Sequence, residues 1–562
     1  MKVVDEQGLL SAADDELIRL FRASPPGEVP LGAMDGTAVI GAGTGLAKPV
    51  ATLARALAWR GKVFDGSGQW LNNRVGPLGL RAIRATVAPG RSWLDGRDCT
   101  VIDYSESSLV ARGVRDEIRL VAPGLYLGVV WLWRRRVAWF VLRRPPTASA
   151  GPAPHQVALT IRARLRRGRE AEVPGLLEQL RKSVELDGGP FRELAGVHFA
   201  RVFLLPAEDN GPPTLMYLAE VDTPVGAHLR DLASAPNDSL PSLLAMCEDH
   251  PDNGSVQDRV RWLAQRRIPA ASAYVHHVGR SLARIQDEAR LRERIEDFLD
   301  EGDWSGADER EVHRAVRAFV AGRPELSWAL RPPEAPSAAF RAREAVHRVV
   351  VPAAVPLLLP ALPVWALLIR RLEARDTPEI GRVSPERLAE LTQQEDLSTQ
   401  NPFTAAGTVK PGLVRAVTLR TVLFGLDYFN RHVYARGGLA GVRTIHFARW
   451  VYVDRGRRLV FASNYDGSLE SYMDEFIDKL APGLNAVFSN GVGYPATRWL
   501  VGGGARDEQA FKDYLRAHQL PSVWYSAYRD LSARNIDDNS KIREGLSRDL
   551  GAAEARSWLA LL

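Results

Sequence analysis

Short runs of alternating apolar and polar residues dominate the first 148 positions. They predict a helix at 17–22 and strands at 93–103, 108–114, 117–121, 125–133 and 137–142. Glycine or proline turns between runs of this length suit an antiparallel barrel or sandwich. A proline- and alanine-rich stretch at 145–154 reads as a linker. Past it the period changes. Positions 157–165 alternate as a strand, 170–184 follow a helical period, 197–205 and 214–221 form a strand pair, and 281–299 make a strongly charged helix. A similar succession fills the last third: strand 403–410, helix 413–434, strands 445–453 and 458–463, helices 469–480 and 507–518, and strand 522–528.

The two successions share residues as well as period. His198-Phe199-Ala200-Arg201 returns as His446-Phe447-Ala448-Arg449, 248 positions later. Asp222 is answered by Asp466, Ile268-Pro269 by Leu520-Pro521, Ala283-Arg284 by Ala533-Arg534, and Arg292-Glu293 by Arg543-Glu544. Offsets that stay between 244 and 252 imply two copies of one unit. Strand, helix, two strands, helix and a late strand is the order of a ferredoxin-like half. Helices cover one face of such a sheet, and the other apolar face needs a partner. The expected fold class is α+β and multidomain. It comprises an N-terminal antiparallel β-barrel at 1–148, a first α+β repeat at 155–300, a connector at 301–400 and a second repeat at 401–562, the repeats closing into a pseudo-dimeric barrel.

One segment departs from globular patterning. Residues 349–369 run for 21 positions without a charge, close to the ~20 that a bilayer-crossing helix needs. Pro352, Pro356, Pro360 and Pro363 interrupt it, while Arg341, Arg343, His347 and Arg348 precede it and Arg370, Arg371 and Arg375 follow. Membrane contact is expected here, as a span or a monotopic or re-entrant dip, because flanking arginines suit an anionic lipid surface. A buried connector between the repeats is the alternative. The net charge of +6, from 73 basic and 67 acidic residues, is too weak to argue a nucleic-acid partner. Cys99 and Cys247 are the two cysteines, which excludes a disulfide scaffold and a cysteine metal cage. With no secretory pattern at the start, the expected location is cytoplasmic, with peripheral or monotopic membrane association.

The repeated strands carry the candidate chemistry. Strict alternation puts His446 on one face with Ala448, Trp450 and Tyr452, and Arg449 on the other with Phe447 and Val451. It likewise puts His198 with Ala200, Val202 and Leu204, and Arg201 with Phe199, Phe203 and Leu205. His446 and His198 are candidate acid/base groups, with Arg449 and Arg201 as anion anchors. The alternative is paired structural polar residues. Asp466 is the next catalytic candidate, although it and Asp222 are equally placed to cap the helix that follows each. Asn464 and Tyr465 stand where the first copy has Glu220 and Val221, and with Trp450 they are candidate substrate-binding residues. His276 and His277 are adjacent and expected to point to opposite sides, a poor chelate. Glu344-x-x-His347 occurs once, so no metal site is expected. The glycine-rich run 41–45 after Thr37 imitates a dinucleotide loop, but Leu46 takes the place of its third glycine. No Gly-x-Ser-x-Gly elbow is present.

Two resemblances extend this reading. Trp93-Leu94-Asp95-Gly96, Asp103-Tyr104-Ser105, Arg115-Asp116-Glu117 and Trp59-Arg60-Gly61-Lys62 lie within 10–142, a stretch that resembles the lipocalin-like family named for a Gly-x-Trp-x-Gly motif. Leu57 replaces the first glycine of that motif. The resemblance implies a small barrel with an interior for an apolar ligand. The repeats resemble the dimeric α+β barrel superfamily, which includes dye-decolourising peroxidases and chlorite-dismutase-like haem proteins. The Gly-x-x-Asp-Gly signature of those peroxidases is matched by Gly32 to Gly36 outside the repeats, and approached by Ser463-Asn464-Tyr465-Asp466-Gly467 inside one. The expected function is a membrane-surface protein that binds or processes a lipophilic small molecule, its reaction and cofactor unknown. The alternatives are a haem-dependent oxidoreductase with a repeat histidine as axial ligand, and a non-catalytic membrane scaffold.

Overall fold

A computed structural model describes residues 9–10, 12–27, 29–30, 32–39, 59, 61–64, 69–75, 80–105, 107, 111–122, 125–143, 155–207, 211–235, 239–332, 338–357, 359–379, 383–393, 395–396, 398–434 and 437–562. The glycine-rich run 41–45 and the linker 145–154 lie outside them. The protein is α+β and divides into two compact units, Met1–Gly151 with Arg317–Arg331, and Pro152–Val316 with Pro332–Leu562.

The first unit opens with helix α1 (Asp14–Ala23). Strands β1 (Gly32–Val39), β2 (Gly61–Phe64), β3 (Trp70–Val75), β4 (Leu80–Arg91), β5 (Asp98–Asp103), β6 (Val114–Ala122), β7 (Leu125–Leu132) and β8 (Arg135–Arg143) form a closed antiparallel barrel. Closure is made by β1 on β8, from Asp35 opposite Arg143 to Val39 opposite Trp139. Met34, Phe64, Leu71, Ile102, Ile118 and Phe140 form one core cluster. Leu17 and Phe21 of α1 belong to another, with Leu127, Val129 and Trp139. Two predicted strands are shorter than expected. Residues 93–97 form a turn because buried Glu117 accepts from Ser92 Oγ at 2.6 Å and from the Trp93 amide at 2.9 Å, drawing the chain aside. The predicted strand 108–114 is a turn at 111–113 that leads into β6, and 108–110 lie outside the described residues.

Gly61 shows why the Trp-x-Gly pattern occurs. Its φ is +134°, and a Cβ there would lie 2.0 Å from the Met34 carbonyl oxygen. A Cβ on Gly36 would meet the Trp59 ring at 2.4 Å. Both glycines let β1 and β2 pair beneath that indole.

The second unit contains two four-stranded sheets. Its strands and principal helices, with shorter helices between them, are in order β9 (Gln156–Arg164), α2 (Val173–Asp187), β10 (Val197–Leu205), β11 (Thr214–Asp222), β12 (Ser272–Val275), α3 (Leu282–Asp300), α4 (Ala338–Ala354), α5 (Leu362–Glu373), β13 (Gln400–Thr408), α6 (Leu413–His432), β14 (Ile445–Val453), β15 (Arg458–Asp466), α7 (Leu469–Phe488), the two-residue pair β16 (Thr497–Arg498) and β17 (Gly502–Gly503), α8 (Glu508–His518), β18 (Val523–Ser526) and α9 (Ala533–Leu546). The sheet orders are β18-β10-β11-β9 and β12-β14-β15-β13. Each sheet takes one edge strand from the opposite half of the unit. Helix α2 packs Leu180 and Val184 on the outer face of the first sheet. Helices α6, α7 and α8 cover the second with Leu419, Phe476 and Phe511. Between the sheets lies an apolar layer including Phe203, Leu205, Met216, Leu218, Val451 and Val460. Helix α7 continues to Phe488 through Pro482, beyond the predicted end at 480, because Leu484 and Val487 are buried in the same core.

The apolar segment is not one helix. Helices α4 and α5 are separated by 3₁₀ turns at Val355–Leu357 and Leu359–Ala361. The prolines there withhold amide donors, and Pro363 sits in the first turn of α5. Among the described residues no single helix is long and apolar enough to cross a membrane. The pair Phe340–Ala354 and Leu359–Glu373 meets that length and composition only together, bent by 46°. Nor is the segment a buried connector, since every described side chain from 352 to 364 is exposed.

Replacing Gly61 by alanine is expected to destabilise the barrel by at least ~2 kcal/mol, because the new methyl collides with backbone and not with a movable side chain. Faster hydrogen exchange of the β1 and β2 amides is the readout; unchanged protection would refute the steric account.

Candidate functional site

Each repeated His-Phe-Ala-Arg strand begins at a register shift, between Val197 and Phe199 in β10 and between Ile445 and Phe447 in β14. Such a bulge re-aims a side chain. His198 lies beside Phe447, ring centroids 5.6 Å apart, and His446 beside Phe199 at 5.5 Å. They therefore leave the faces that strict alternation assigns them and enter the layer between the sheets. Both histidines are fully buried.

His198 Nε2 donates to Asp222 Oδ1 at 3.1 Å, and Nδ1 accepts from the Tyr528 hydroxyl at 3.0 Å. Burial, reinforced by the Asp222 and Glu220 carboxylates, pushes the Tyr528 hydroxyl well above its ordinary range, so it remains a donor. His446 Nε2 donates to Asp466 Oδ1 at 2.7 Å, but its Nδ1 has no hydrogen-bond partner. The two aspartates do cap helices, although not the ones that follow them in sequence. Asp222 Oδ2 accepts the Leu282 amide of α3 at 2.9 Å, and Asp466 Oδ2 accepts the Ala533 amide of α9 at 2.8 Å. Helix α7, directly after Asp466, is capped by Ser468. His198 thus has both ring nitrogens engaged. Of the two repeat histidines, His446 alone keeps a ring nitrogen, Nδ1, without a partner, open to proton transfer or to a metal bond.

The arginines cross between the sheets. Arg201 of β10 donates to the carbonyls of Phe403 (2.7 Å) and Ser463 (2.8 Å), to Thr404 Oγ1 (2.8 Å) and to Asn464 Oδ1. Arg449 of β14 donates to the carbonyls of Leu159 (2.5 Å) and Ala219 (2.8 Å), to Thr160 Oγ1 (3.1 Å) and to Glu220. The patterns match position for position except at one residue, Asn464 against Glu220. Arg201 therefore lacks a carboxylate. Burial, only partly countered by Glu220 and deepened by Arg449, pulls its guanidinium down to about 10.

The remaining candidates are dispersed. Trp450 packs on the helix-covered face against Phe461 (4.4 Å) and Phe488 (4.9 Å). There it borders a cavity of ≈ 30 Å³ with Leu419, Tyr514 and His518, room for about one water. Asn464 belongs to the Arg201 clamp and also accepts from Trp524 Nε1 at 2.9 Å. Tyr465 stacks on Tyr472 at 4.0 Å. Trp450, Asn464 and Tyr465 do not line one pocket with His446.

Two clusters escaped sequence reasoning. His276 and His277 follow β12 in a turn and do not diverge; both reach Asp537 of α9, with His276 Nε2 3.0 Å from Oδ2 and His277 Nδ1 3.4 Å from Oδ1. Arg280 Nη1 donates to the same carboxylate at 2.9 Å. Burial raises the Asp537 carboxyl, but its contacts with His276, His277 and Arg280 outweigh that and hold it well below the usual carboxylate range. Burial also depresses His277 strongly, against the pull of Asp537. Adjacency in sequence hid this convergence, because alternation applies to a strand and not to a turn. The other cluster lies inside the barrel. Lys62 Nζ meets Asp116 Oδ2 (2.7 Å), Tyr104 Oη (2.5 Å) and Asn73 Oδ1 (3.0 Å), and Trp59 Nε1 donates to that same amide oxygen at 3.0 Å. Asp116 Oδ1 has no hydrogen-bond partner. Lys62, Tyr104 and Asp116 fall within the family-like motifs, which was the available signal.

No protein-family model matches the chain, and no curated protein matches it. Among solved structures, a crystal structure of a protein from Thermomonospora curvata matches at 17% identity over 23% of this chain and 84% of that chain, with a TM-score of 0.18. A likeness that slight carries no argument about fold or activity.

Arg449→Met is expected to cost about 3–5 kcal/mol, because Glu220 is left buried without its cation. Arg201→Met should cost less, since its partners are all neutral. Thermal unfolding compares the two, and equal costs would refute the charge argument. The Asp537 cluster makes stability depend on pH. His277 titrates lower in the folded state than unfolded, so its contribution is complete above roughly pH 6.5 and declines as pH falls. The Asp537 contribution persists to about pH 4 and is lost below it. Urea midpoints measured from pH 8 to pH 3 should fall in those two windows, and His277→Gln should remove the upper one.

Proposed function

We propose that the chain is a membrane-surface protein that takes up a lipophilic small molecule. In this reading its barrel is a lipocalin-like domain of the Gly-x-Trp-x-Gly kind, and its second unit is a ferredoxin-like module duplicated and paired as an α+β barrel. The observation that carries the membrane reading is the bend between α4 and α5. Val349 (69%), Leu362 (52%), Val364 (62%) and Leu367 (64%) stand exposed along it. A contiguous apolar surface of this kind marks an interaction site. Fully transferring a Val or Leu side chain from water is worth roughly 1.5–3 kcal/mol, so a few of them suffice to hold the protein at a bilayer. Arg341, Arg343 and Arg348 before the bend and Arg371 and Arg375 after it are exposed, where each adds ~1 kcal/mol on an anionic surface. The bend and its prolines favour a shallow monotopic dip over a span.

Helix α6 links that surface to the apolar interior. Trp365 Nε1 of α5 donates to Thr418 Oγ1 at 2.9 Å, and the neighbouring Leu419 borders the cavity beside Trp450 and Phe488. In this reading an apolar ligand enters past this contact, and the one-water cavity must expand to hold it. Matched sheet orders and matched arginine bonds support the duplication. A second reading, a non-catalytic membrane scaffold, draws support from the same arginines, whose donors are spent on carbonyls of the facing sheet.

Full-length protein is expected to float with vesicles containing anionic lipid, and the variant Val349→Glu/Leu362→Glu/Leu367→Glu to lose at least tenfold in that partitioning. Equal flotation of both would refute the membrane reading. Mass spectrometry of organic extracts separates the two readings: a stoichiometric apolar compound supports uptake, whereas flotation with an empty extract supports the scaffold.

A further inference from the structure

The turn after β12 and helix α9 gather three side chains of metal-ligating type. His276 Nδ1 donates to the Ile445 carbonyl oxygen at 3.1 Å, with the Tyr274 hydroxyl 3.3 Å from the same nitrogen. Its Nε2 faces Asp537 Oδ2 at 3.0 Å, where a metal would replace the proton shared between them. His277 Nδ1 is 3.0 Å from Arg280 Nη1, which only donates, so Nδ1 presents a lone pair. Two imidazole nitrogens and a carboxylate thus converge, their ligand atoms all within 4.8 Å of one another. The charge satisfying two of the three is one guanidinium nitrogen, Arg280 Nη1.

We propose that His276 Nε2, His277 Nδ1 and the Asp537 carboxylate form a binding site for a late first-row divalent cation of the Zn²⁺ class, with the Arg280 guanidinium as occupant of the metal-free form. Two imidazoles and one carboxylate suit zinc, cobalt or nickel better than magnesium or calcium. Three protein ligands with an open fourth position are the pattern of reactive rather than purely structural zinc. The Nδ1–H bond from His276 to the Ile445 carbonyl is the outer contact that fixes a metal-binding imidazole. Gly437 keeps the open side clear. A Cβ there would lie 3.2 Å from Asp537 Oδ2 and 3.3 Å from His276 Nε2, and the residue's φ of +79° disfavours any side chain. Asp537 is 29% exposed, which gives an ion access from solvent, and Arg280 is 20% exposed, which lets it swing outward. Metal bonds of about 2.0–2.2 Å set ligand atoms roughly 3.4 Å apart, a contraction that departure of the guanidinium allows.

Metal on Nδ1 fixes the His277 proton at Nε2. That nitrogen is buried and lacks a hydrogen-bond partner, as does His446 Nδ1, and the two rings are 6.0 Å apart. In the other half Tyr528, the counterpart of His277, already donates to His198 at the corresponding place. The cation site would therefore set the donor state next to the free lone pair of His446.

Tag-free, chelator-washed full-length protein should be titrated with Co²⁺, read by its visible absorption, and with Zn²⁺ by calorimetry. One equivalent is expected to bind. Asp537→Asn should reduce affinity at least tenfold, and Arg280→Ala should raise it at least tenfold, because the competing cation is gone while all three ligands remain. Since Asp537→Asn also weakens the fold, circular dichroism accompanies it and Arg280→Ala serves as the second probe. Absence of binding to both wild type and Arg280→Ala would overturn the site, as would binding indifferent to both substitutions.

Discussion

Two buried guanidiniums tie the sheets of the larger unit to each other. Arg201 and Arg449 each leave one sheet and donate to two main-chain carbonyls of the other, with a side-chain acceptor beside each carbonyl. An apolar layer alone would let two flat faces slide, because hydrophobic contact is not directional. A planar fork with five fixed donors does not permit that.

The matched architecture makes the mismatches informative. Glu220 gives Arg449 a counter-ion that Asn464 does not give Arg201. Tyr528 satisfies His198 where His277 leaves His446 unsatisfied. His277 Nε2, His446 Nδ1, Asn464 Nδ2 and Tyr465 Oη all lack hydrogen-bond partners in the interior. Buried polar atoms without partners are costly, and these four lie on β14, β15 and the turn after β12. His198 is satisfied at both ring nitrogens, whereas His446 and its neighbour His277 each keep one without a partner.

The chain's own pattern made much of this legible. Strands 197–205 and 445–453 were readable to the residue because their periods are long and their apolar content high. The barrel's β7 and β8 follow from the same reasoning, whereas the turn at 93–97 does not, since it depends on Glu117, two strands' length away. The orientation of His198 was misjudged because a single inserted residue inverts alternation and leaves no mark in composition. The helix-capping role of Asp222 was sound in kind but not in partner: the amide it serves belongs to Leu282, sixty positions on. Asp537 could not be connected with His276 at all, since they lie 261 positions apart. Contacts of that range depend on topology, which local periodicity does not encode.

The edge strands carry a consequence for how the chain is made. Strand β10 is flanked by β11 on one side and by β18 on the other, and β18 begins at Val523. During synthesis the first sheet is therefore left with a raw, hydrogen-bond-hungry margin until more than three hundred further residues have emerged. At a ribosome adding about 5–20 residues per second, that is an interval of some tens of seconds. Exposed margins of this sort invite pairing with stray strands. Neither half completes its own sheet, so the closing strand must arrive before that margin is covered.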